Sequence, residues 1–235
     1  MAEHCARLWL QAQAVDLTLI GRNADRVRRV AADLRVRNPQ SDIKVIESDF
    51  MAANAIRSTV DAIVTEGPVD IVLIAHGSLP AQAECQDDLN ICCEALVVNG
   101  LSPVMFAESF AKHMGKINYG TLALIGSVAG DRGRKSNYVY GAAKGMVTRY
   151  AEGLQHRFAR SGVKVVLIKP GPTDTPMTAH LKGQGSKIAS VENVAQKIVD
   201  AIECGQAKVY VPGKWAVIMM VIRHLPDYFY TKLNI

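Results

Sequence analysis

Continuous apolar segments rich in β-branched residues alternate with helical patterns along the chain. The segments with the length and composition of strands lie at 15–20, 43–47, 69–75, 121–125, 164–168 and 208–211. Most are apolar throughout, which is typical of strands that are buried on both faces of a sheet. Helical patterns lie between them, at 23–37, 52–66, 92–113, 138–159 and 191–204. This alternation predicts an α/β fold of three layers, a doubly wound parallel sheet with helices on both faces.

The composition adds that this fold forms one soluble globular domain over residues 1–235. Hydrophobic residues make up 49% and charged residues 21% of the chain, which excludes a disordered protein. No linker rich in Pro, Gly or Ser divides it, and 213–235 is an apolar and basic tail of the same domain. The longest apolar run, 215–222, is too short to cross a bilayer.

Cysteine usage and charge narrow the compartment and the partners. We expect free thiols, no metal site and a reducing, cytoplasmic compartment, because the cysteines are odd in number and form no CxxC pair. They are Cys5, Cys85, Cys92, Cys93 and Cys204. The net charge of +5 favours anionic ligands. The cations are not gathered on one stripe, so we expect no nucleic-acid partner.

Tyr140 and Lys144 are the strongest candidates for acid–base chemistry. A spacing of four residues in a helix places both on one face, a turn apart. A phenol has a reference pKa of about 10, and a nearby ammonium lowers it towards the range useful at neutral pH. The alternative is an ordinary pair on a helix surface.

The surroundings of this pair carry more information than the pair itself. Ser127 ends the apolar segment 121–125, thirteen residues before Tyr140, and Asn99 lies in a helical pattern interrupted by Gly100 and Pro103. A Pro-Gly pair, at 170–171, follows the next strand. Together these residues resemble the short-chain dehydrogenase/reductase family over about residues 2–211.

The resemblance implies a catalytic set of Asn99, Ser127, Tyr140 and Lys144. Tyr140 would protonate a substrate carbonyl oxygen as hydride arrives from a nicotinamide. Lys144 would lower the pKa of Tyr140 and hold the nicotinamide ribose. Ser127 would hydrogen-bond the carbonyl oxygen, unless it is a plain turn serine, and Asn99 would hold a water in the proton relay.

The resemblance also implies a cofactor site and a choice of cofactor. The expected contacts are Arg22, Asp49, Ala75, Gly77, Tyr140, Lys144, Pro170, Gly171, Thr173 and Thr175. The second strand of the family's usual order ends here in Gly21-Arg22-Asn23, without an acid. An acid there binds the ribose 2′-hydroxyl of NAD, whereas an Arg accommodates the 2′-phosphate of NADP. We therefore expect NADP(H) over NAD(H), unless Arg22 belongs only to a solvated basic helix face.

Two features depart from the family pattern. The turn after the segment 69–75 contains His76 where the family has a structural asparagine, and we interpret His76 as a hydrogen-bonded turn residue. The chain also starts inside a helical pattern, so the first strand and its glycine-rich phosphate loop are not found. We interpret Met1 as an internal Met or the start of a truncated chain. A short protein with a re-paired sheet is the less favoured alternative.

Two regions bear on the substrate. The cations Arg132, Arg134 and Lys135 follow Ser127 and indicate an anionic substrate, unless they form a solvated loop. The segment 215–230 fits a membrane interface or a lipid-like ligand, although a helix packed in the core or in an oligomer interface is favoured. With the motif 177–182, it is similar to the decaprenylphosphoryl-2-keto-ribose reductase branch, which reduces a keto-sugar on a polyprenyl phosphate.

The sequence thus predicts an NADP(H)-dependent oxidoreductase acting on a carbonyl or secondary alcohol. The resemblance also implies a homodimer or homotetramer formed through the long helices. The alternative is a catalytically inactive family member that acts as a binding or scaffold subunit.

Overall fold

The computed structural model describes residues 1–179 and 188–233, and helices and strands alternate along them. The strands are β1 Leu17–Gly21, β2 Ile43–Glu47, β3 Ile71–Ile74, β4 Gly120–Ile125, β5 Val163–Pro170 and β6 Lys208–Val211. The helices are α1 Ala2–Ala12, α2 Ala24–Arg37, α3 Ala53–Glu66, α4 Gln82–Asp87, α5 Leu89–Leu96, α6 Ser102–Ile117, α7 Tyr138–Arg157, α8 Val191–Glu203, α9 Lys214–His224 and α10 Asp227–Tyr230. All the predicted strands are present, and the chain does begin with a helix.

All the strand pairs are parallel, as predicted, but they form two sheets. Among the described residues, one sheet has the order β3-β4-β5-β6, and the other consists of β1 and β2. The prediction of an α/β fold with parallel sheets is confirmed, whereas a single re-paired sheet is not seen. No described strand pairs with β1 or β3 on the side where the two sheets separate.

Helices cover both faces of the strands and join the two sheets. On one face, α3, α6 and α7 enclose a core that includes Ile56, Phe106, Leu122 and Leu154. On the other face, Cys5 of α1 packs with α8 against β4 and β5, while its neighbours Ala6 and Leu10 pack against β1, β2 and α2. Helix α1 therefore contacts the cores of both sheets.

The longest helical run differs from the sequence prediction. Leu89–Ile117 forms a continuous helix of 29 residues, which is long and apolar enough to span a membrane by length and composition. Phe106, Phe110 and Met114 on this helix are buried against β4. One side of the run therefore packs in the core, and the helix is longer than the pattern at 92–113 indicated.

Candidate active site

The carboxyl ends of β3, β4 and β5 surround a cavity of about 130 Å³. This position is where open α/β sheets bind ligands. The predicted site residues on its wall are Ala75, Gly77, Ser127, Tyr140, Lys144, Pro170, Gly171, Thr173 and Thr175, and the wall also includes Met1, His76, Arg134 and Asn137. The fold thus brings most of the predicted residues to one place.

Ser127, Tyr140 and Lys144 form one cluster at this cavity. Tyr140 and Ser127 share a side-chain hydrogen bond. The Lys144 side chain is 3% exposed, and its Nζ donates to the Ile125 carbonyl oxygen at 3.0 Å. The same Nζ lies 5.9 Å from the centre of the Tyr140 ring. A phenol, a hydroxyl and an amine are therefore held together over the end of β4.

Close backbone packing fixes Ser127 relative to α7. The Ser127 Oγ accepts from the Ala129 amide at 3.1 Å, which starts a short 3₁₀ turn, Val128–Gly130. This turn lies so close to α7 that a Cβ on Gly130 would sit 2.6 Å from the Lys144 carbonyl carbon. Only glycine fits at such an approach. The position of Ser127 is thus tied to the helix that carries Tyr140 and Lys144.

Burial determines the protonation states of Lys144 and Tyr140, and this corrects our expectation for the pKa of Tyr140. It lowers the pKa of Lys144 to about 8, because charging an enclosed amine is unfavourable. It also raises the pKa of Tyr140, and the hydrogen bond with Ser127 offsets this only in part. In this structure the phenol is therefore a neutral proton donor, and Lys144 does not bring its pKa down towards neutrality as we had expected.

Asn99 lies inside the long helix, at a π-helical turn, Val97–Leu101, and is fully buried. Its Nδ2 donates to the Ala95 carbonyl oxygen at 2.8 Å, and its Oδ1 accepts from the Ser78 amide at 2.8 Å. A Cβ on Gly77 would lie 2.7 Å from that Oδ1. Asn99 therefore fastens the turn after β3 to the helix, and its predicted role in a proton relay remains a prediction.

The interpretation of His76 as a hydrogen-bonded turn residue is confirmed. Its Nε2 lies 2.9 Å from the Ser102 Oγ, and its ring packs 4.6 Å from that of Phe50 and 5.6 Å from that of Phe106, centre to centre. Burial, reinforced by the charges of Lys144 and Arg22, lowers the pKa of His76 to about 3. The ring is thus neutral at physiological pH, and its contacts with Ser102, Phe50 and Phe106 are structural.

Arg22 and Asp49, two of the predicted cofactor contacts, are not on the cavity wall. Arg22 is exposed after β1 and lies 3.8 Å from the Glu94 carboxylate. Asp49 is exposed after β2, where its Oδ1 accepts from the Met51 amide at 2.8 Å. Both stand at the carboxyl ends of the two-stranded sheet, and their cofactor contacts remain predictions.

A buried network beside the cavity was missed by the sequence analysis. The Lys169 ammonium pairs with the Asp131 carboxylate, and the Tyr210 hydroxyl donates to the same carboxylate at 2.8 Å. Burial lowers the pKa of Lys169. A charged residue within the otherwise apolar end of β5 was the available signal, because such a residue needs a buried partner.

The cations of the loop after Ser127 have separate environments. Arg132 donates to the Ile222 carbonyl oxygen at 2.6 Å and pairs with Asp227 at 2.6 Å, so it holds the C-terminal tail. Arg134 lines the cavity, where its Nε is buried without a hydrogen-bond partner. Lys135 is exposed. Of these three cations, only Arg134 lines the cavity. The prediction of an anionic substrate therefore rests on Arg134.

Comparison with known proteins agrees with this geometry. Residues 2–185 match the sequence family described as short chain dehydrogenase. An uncharacterized oxidoreductase of Mycobacterium tuberculosis is 27% identical over 224 residues, which cover 94% of this chain and 89% of the relative. Another, from Staphylococcus epidermidis, is 27% identical over 194 residues, 82% of each chain.

Solved structures share the fold. A short-chain dehydrogenase from Sphingobium yanoikuyae in complex with NADPH gives a TM-score of 0.80 at 17% identity, over 96% of this chain and 92% of that one. A short-chain type dehydrogenase/reductase from Mycobacterium ulcerans gives 0.79 at 18% identity, over 94% and 91%. The sequence-family match spans most of the chain, and the structural likeness extends over nearly all of it. The chain therefore belongs to the short-chain dehydrogenase family of oxidoreductases.

Proposed function

We propose that this protein is an NADP(H)-dependent reductase of carbonyl compounds that carry an anionic group. The observation that carries the proposal is the neutral Tyr140 phenol, hydrogen-bonded to Ser127 beside the buried Lys144 amine. A general acid must be protonated before it can act, and a raised pKa keeps Tyr140 in that state at neutral pH. Protonated Tyr140 is the form that can donate to a carbonyl oxygen, whereas oxidation of an alcohol would start from the phenolate.

The residues present fit the nicotinamide end of the cofactor that the family uses. Lys144 Nζ makes one hydrogen bond, to the Ile125 carbonyl oxygen, and has further donors for ribose hydroxyls. Gly77 and Gly171 lie on the same cavity wall. For the phosphates of the cofactor, the one fitting feature among the described residues is the N-terminus of α1, where Met1 lines the cavity. Helix N-termini favour phosphate groups.

The chain's own groups account for the proton chemistry. A bound NADPH would supply the hydride to the carbonyl carbon. Tyr140 then donates its phenolic proton to the carbonyl oxygen, so that the product is a neutral alcohol. Ser127 donates a hydrogen bond to the same oxygen and stabilises the negative charge that develops there. Lys144 would hold ribose hydroxyls through the ammonium donors that its bond to Ile125 leaves open.

Arg134 supports the anionic part of the proposal. Its guanidinium lines the cavity that Tyr140 also lines, and its Nη2 donates to the Met219 sulfur at 3.5 Å. No described carboxylate forms an ion pair with it, since Asp131 is taken by Lys169 and Asp227 by Arg132. A guanidinium binds a carboxylate or phosphate through paired hydrogen bonds. A keto-sugar on a lipid-linked phosphate is one substrate of this class.

The test combines cofactor binding with matched substrates. NADPH is titrated into the protein and followed by fluorescence, and NADPH oxidation is then measured with a keto acid and its methyl ester. We expect NADPH binding and a preference for the acid. Arg134→Met should lower kcat/KM for the acid by roughly tenfold to a hundredfold and leave the ester unchanged. Lys135→Met, which removes the neighbouring exposed cation, serves as the control.

A second candidate function is an inactive scaffold subunit. The separation of β1 from β3 favours it, because that gap lies beside the α1 N-terminus that would receive the phosphates. Absence of NADPH binding would support the scaffold and contradict the reductase. NADPH binding with equal turnover of acid and ester would keep the reductase and exclude the anionic specificity.

Compartment and assembly are part of the same proposal. We propose a cytoplasmic enzyme, in keeping with the five unpaired thiols. We also propose a homodimer or homotetramer formed through α5–α7, where Leu89 is 80%, Leu101 45% and Met146 39% exposed. Light scattering of the purified protein tests the assembly, and a monomer would contradict it.

A further inference from the structure

We propose that the C-terminal helices α9 and α10 dock the protein on the surface of an anionic membrane. The tail face, as we name it, consists of the exposed side chains of Val217, Met220, Val221, Tyr228 and Phe229. The inference goes beyond the reductase proposal and does not require it.

The tail is anchored on the body of the protein by one side of α9. Trp215, Met219 and Ile222 are spaced as one helix stripe, and Met219 is fully buried. The Trp215 indole lies so close to Gly171 that a Cβ there would sit 1.9 Å from its Nε1. Arg132 then binds the last turn through the Ile222 carbonyl oxygen. The opposite side of α9 is therefore held outward in a fixed orientation.

That outward side is apolar. Val217 is 61%, Met220 56% and Val221 57% exposed, and their spacing of three and four residues places them on one face of the helix. Tyr228 and Phe229 of α10 add rings that are 67% and 56% exposed. Exposed apolar groups that cluster in one short segment mark interaction surfaces. The tail face therefore has the character of an interaction surface.

The charges around the tail face select a membrane as the occupant. The tail residues 213–233 contain the cations Lys214, Arg223 and Lys232 and a single acid, Asp227, which is paired with Arg132. A second copy related by twofold symmetry would place like charges against each other. Anionic headgroups instead attract a basic rim around an apolar centre. Helix α9, with 11 residues, is too short to span a bilayer and would lie in its surface.

The surface and the reaction cavity share structural elements. Arg134, on the cavity wall, contacts the Met219 sulfur, and the Tyr230 hydroxyl donates to the Gly133 carbonyl oxygen at 2.5 Å. Docking through the tail face would therefore bring the cavity wall close to the headgroups. A substrate with a lipid tail and an anionic head could be taken directly from such a surface.

The experiment is vesicle flotation of the full chain. Vesicles of phosphatidylcholine alone are compared with vesicles containing about a third phosphatidylglycerol. We expect binding to the anionic vesicles and at least tenfold weaker binding to the neutral ones. V217E/M220E should weaken the binding more than tenfold, because two exposed apolar groups that would enter the membrane surface become charged. Each of Lys214→Glu and Lys232→Glu should weaken binding by about fivefold or more, and added salt should do the same.

Val36→Glu is the matched control, since Val36 is an 82% exposed apolar residue on α2, away from the tail. It should bind vesicles like the parent, and equal thermal melts of all variants would show that each is folded. Failure of the parent to bind anionic vesicles, or equal binding by V217E/M220E, would overturn the proposal. A parent dimer that V217E/M220E dissociates, without vesicle binding, would overturn it in favour of a second copy.

Discussion

The two sheets differ in burial and in what they hold. In the larger sheet, Leu122, Ala123 and Leu124 of β4 are fully buried. In the smaller sheet, no residue of β1 is buried, and β2 buries only Ile43. The cavity residues Ser127, Tyr140 and Lys144 are held on the larger sheet and on α7 packed against it, whereas the predicted nucleotide contacts Arg22 and Asp49 follow the smaller one.

This difference separates chemistry from cofactor recognition. Reacting groups must be held within fractions of an ångström, and the buried central strands β4 and β5 provide that rigidity. A two-stranded sheet is marginal by itself and depends on the helices packed against it. We therefore expect the larger sheet to control turnover and stability, and the smaller sheet to control which nucleotide binds and how tightly.

Replacing the proposed acid should give the largest effect. We expect Tyr140→Phe to lower kcat by roughly 10²- to 10⁴-fold, because the carbonyl oxygen loses its proton donor. NADPH binding should persist, since the ring is kept. Steady-state turnover and NADPH fluorescence check both halves of this statement. Tyr138→Phe is the control, because it changes an exposed tyrosine at the first residue of α7, and it should leave kcat unchanged. Equal losses of kcat in both variants would contradict the role of Tyr140 as the proton donor.

Replacing one leucine in each sheet compares the contributions of the two sheets to the free energy of unfolding. Leu122→Ala in β4 should lower the free energy of unfolding by about 2–5 kcal/mol, because it opens a cavity in a fully buried core. Leu19→Ala in β1 should cost less, about 1–2 kcal/mol, because that side chain is only partly buried. Urea unfolding measures both. Equal losses would show that the smaller sheet is as well packed as the larger one, against our comparison.

The sequence predicted the larger sheet and its site more fully than it predicted the junction between sheets. Continuous apolar strands and the Ser127 and Tyr140–Lys144 motifs are local patterns, so they can be recognised from the sequence alone. The pairing of Lys169 with Asp131 joins residues 38 apart in the chain, so the local signal at Lys169 does not identify its partner. The protonation of Tyr140 depends on burial, which spacing alone cannot supply. The same applies to Arg132, whose partners lie in the tail.

His76 offers a way to test the junction itself, because its ring, after β3, packs on Phe50, after β2. The folded pKa of His76 is lowered to about 3 and its unfolded value is about 6.5. The unfolded chain therefore binds the extra proton between these values, so stability falls as pH drops below about 6.5.

From pH 7 to pH 5 this one residue should remove about 2 kcal/mol of the free energy of unfolding. His76→Asn should lack that component, so its urea-unfolding curves should change less between the two pH values. Parallel pH profiles of the parent and His76→Asn would mean that the ring is solvated and does not couple the sheets.

The smallest effect concerns Arg22, at the end of β1. Its ion pair with Glu94 is long and exposed, at 3.8 Å, so its loss should not change stability measurably. Arg22→Ser should weaken NADPH binding by about tenfold, because the 2′-phosphate loses a guanidinium partner, and should leave NADH binding unchanged. Arg29→Ser, an exposed cation on α2, controls for general charge. If both variants weaken NADPH binding equally, Arg22 acts only through the basic field of α2, and the smaller sheet does not select the nucleotide.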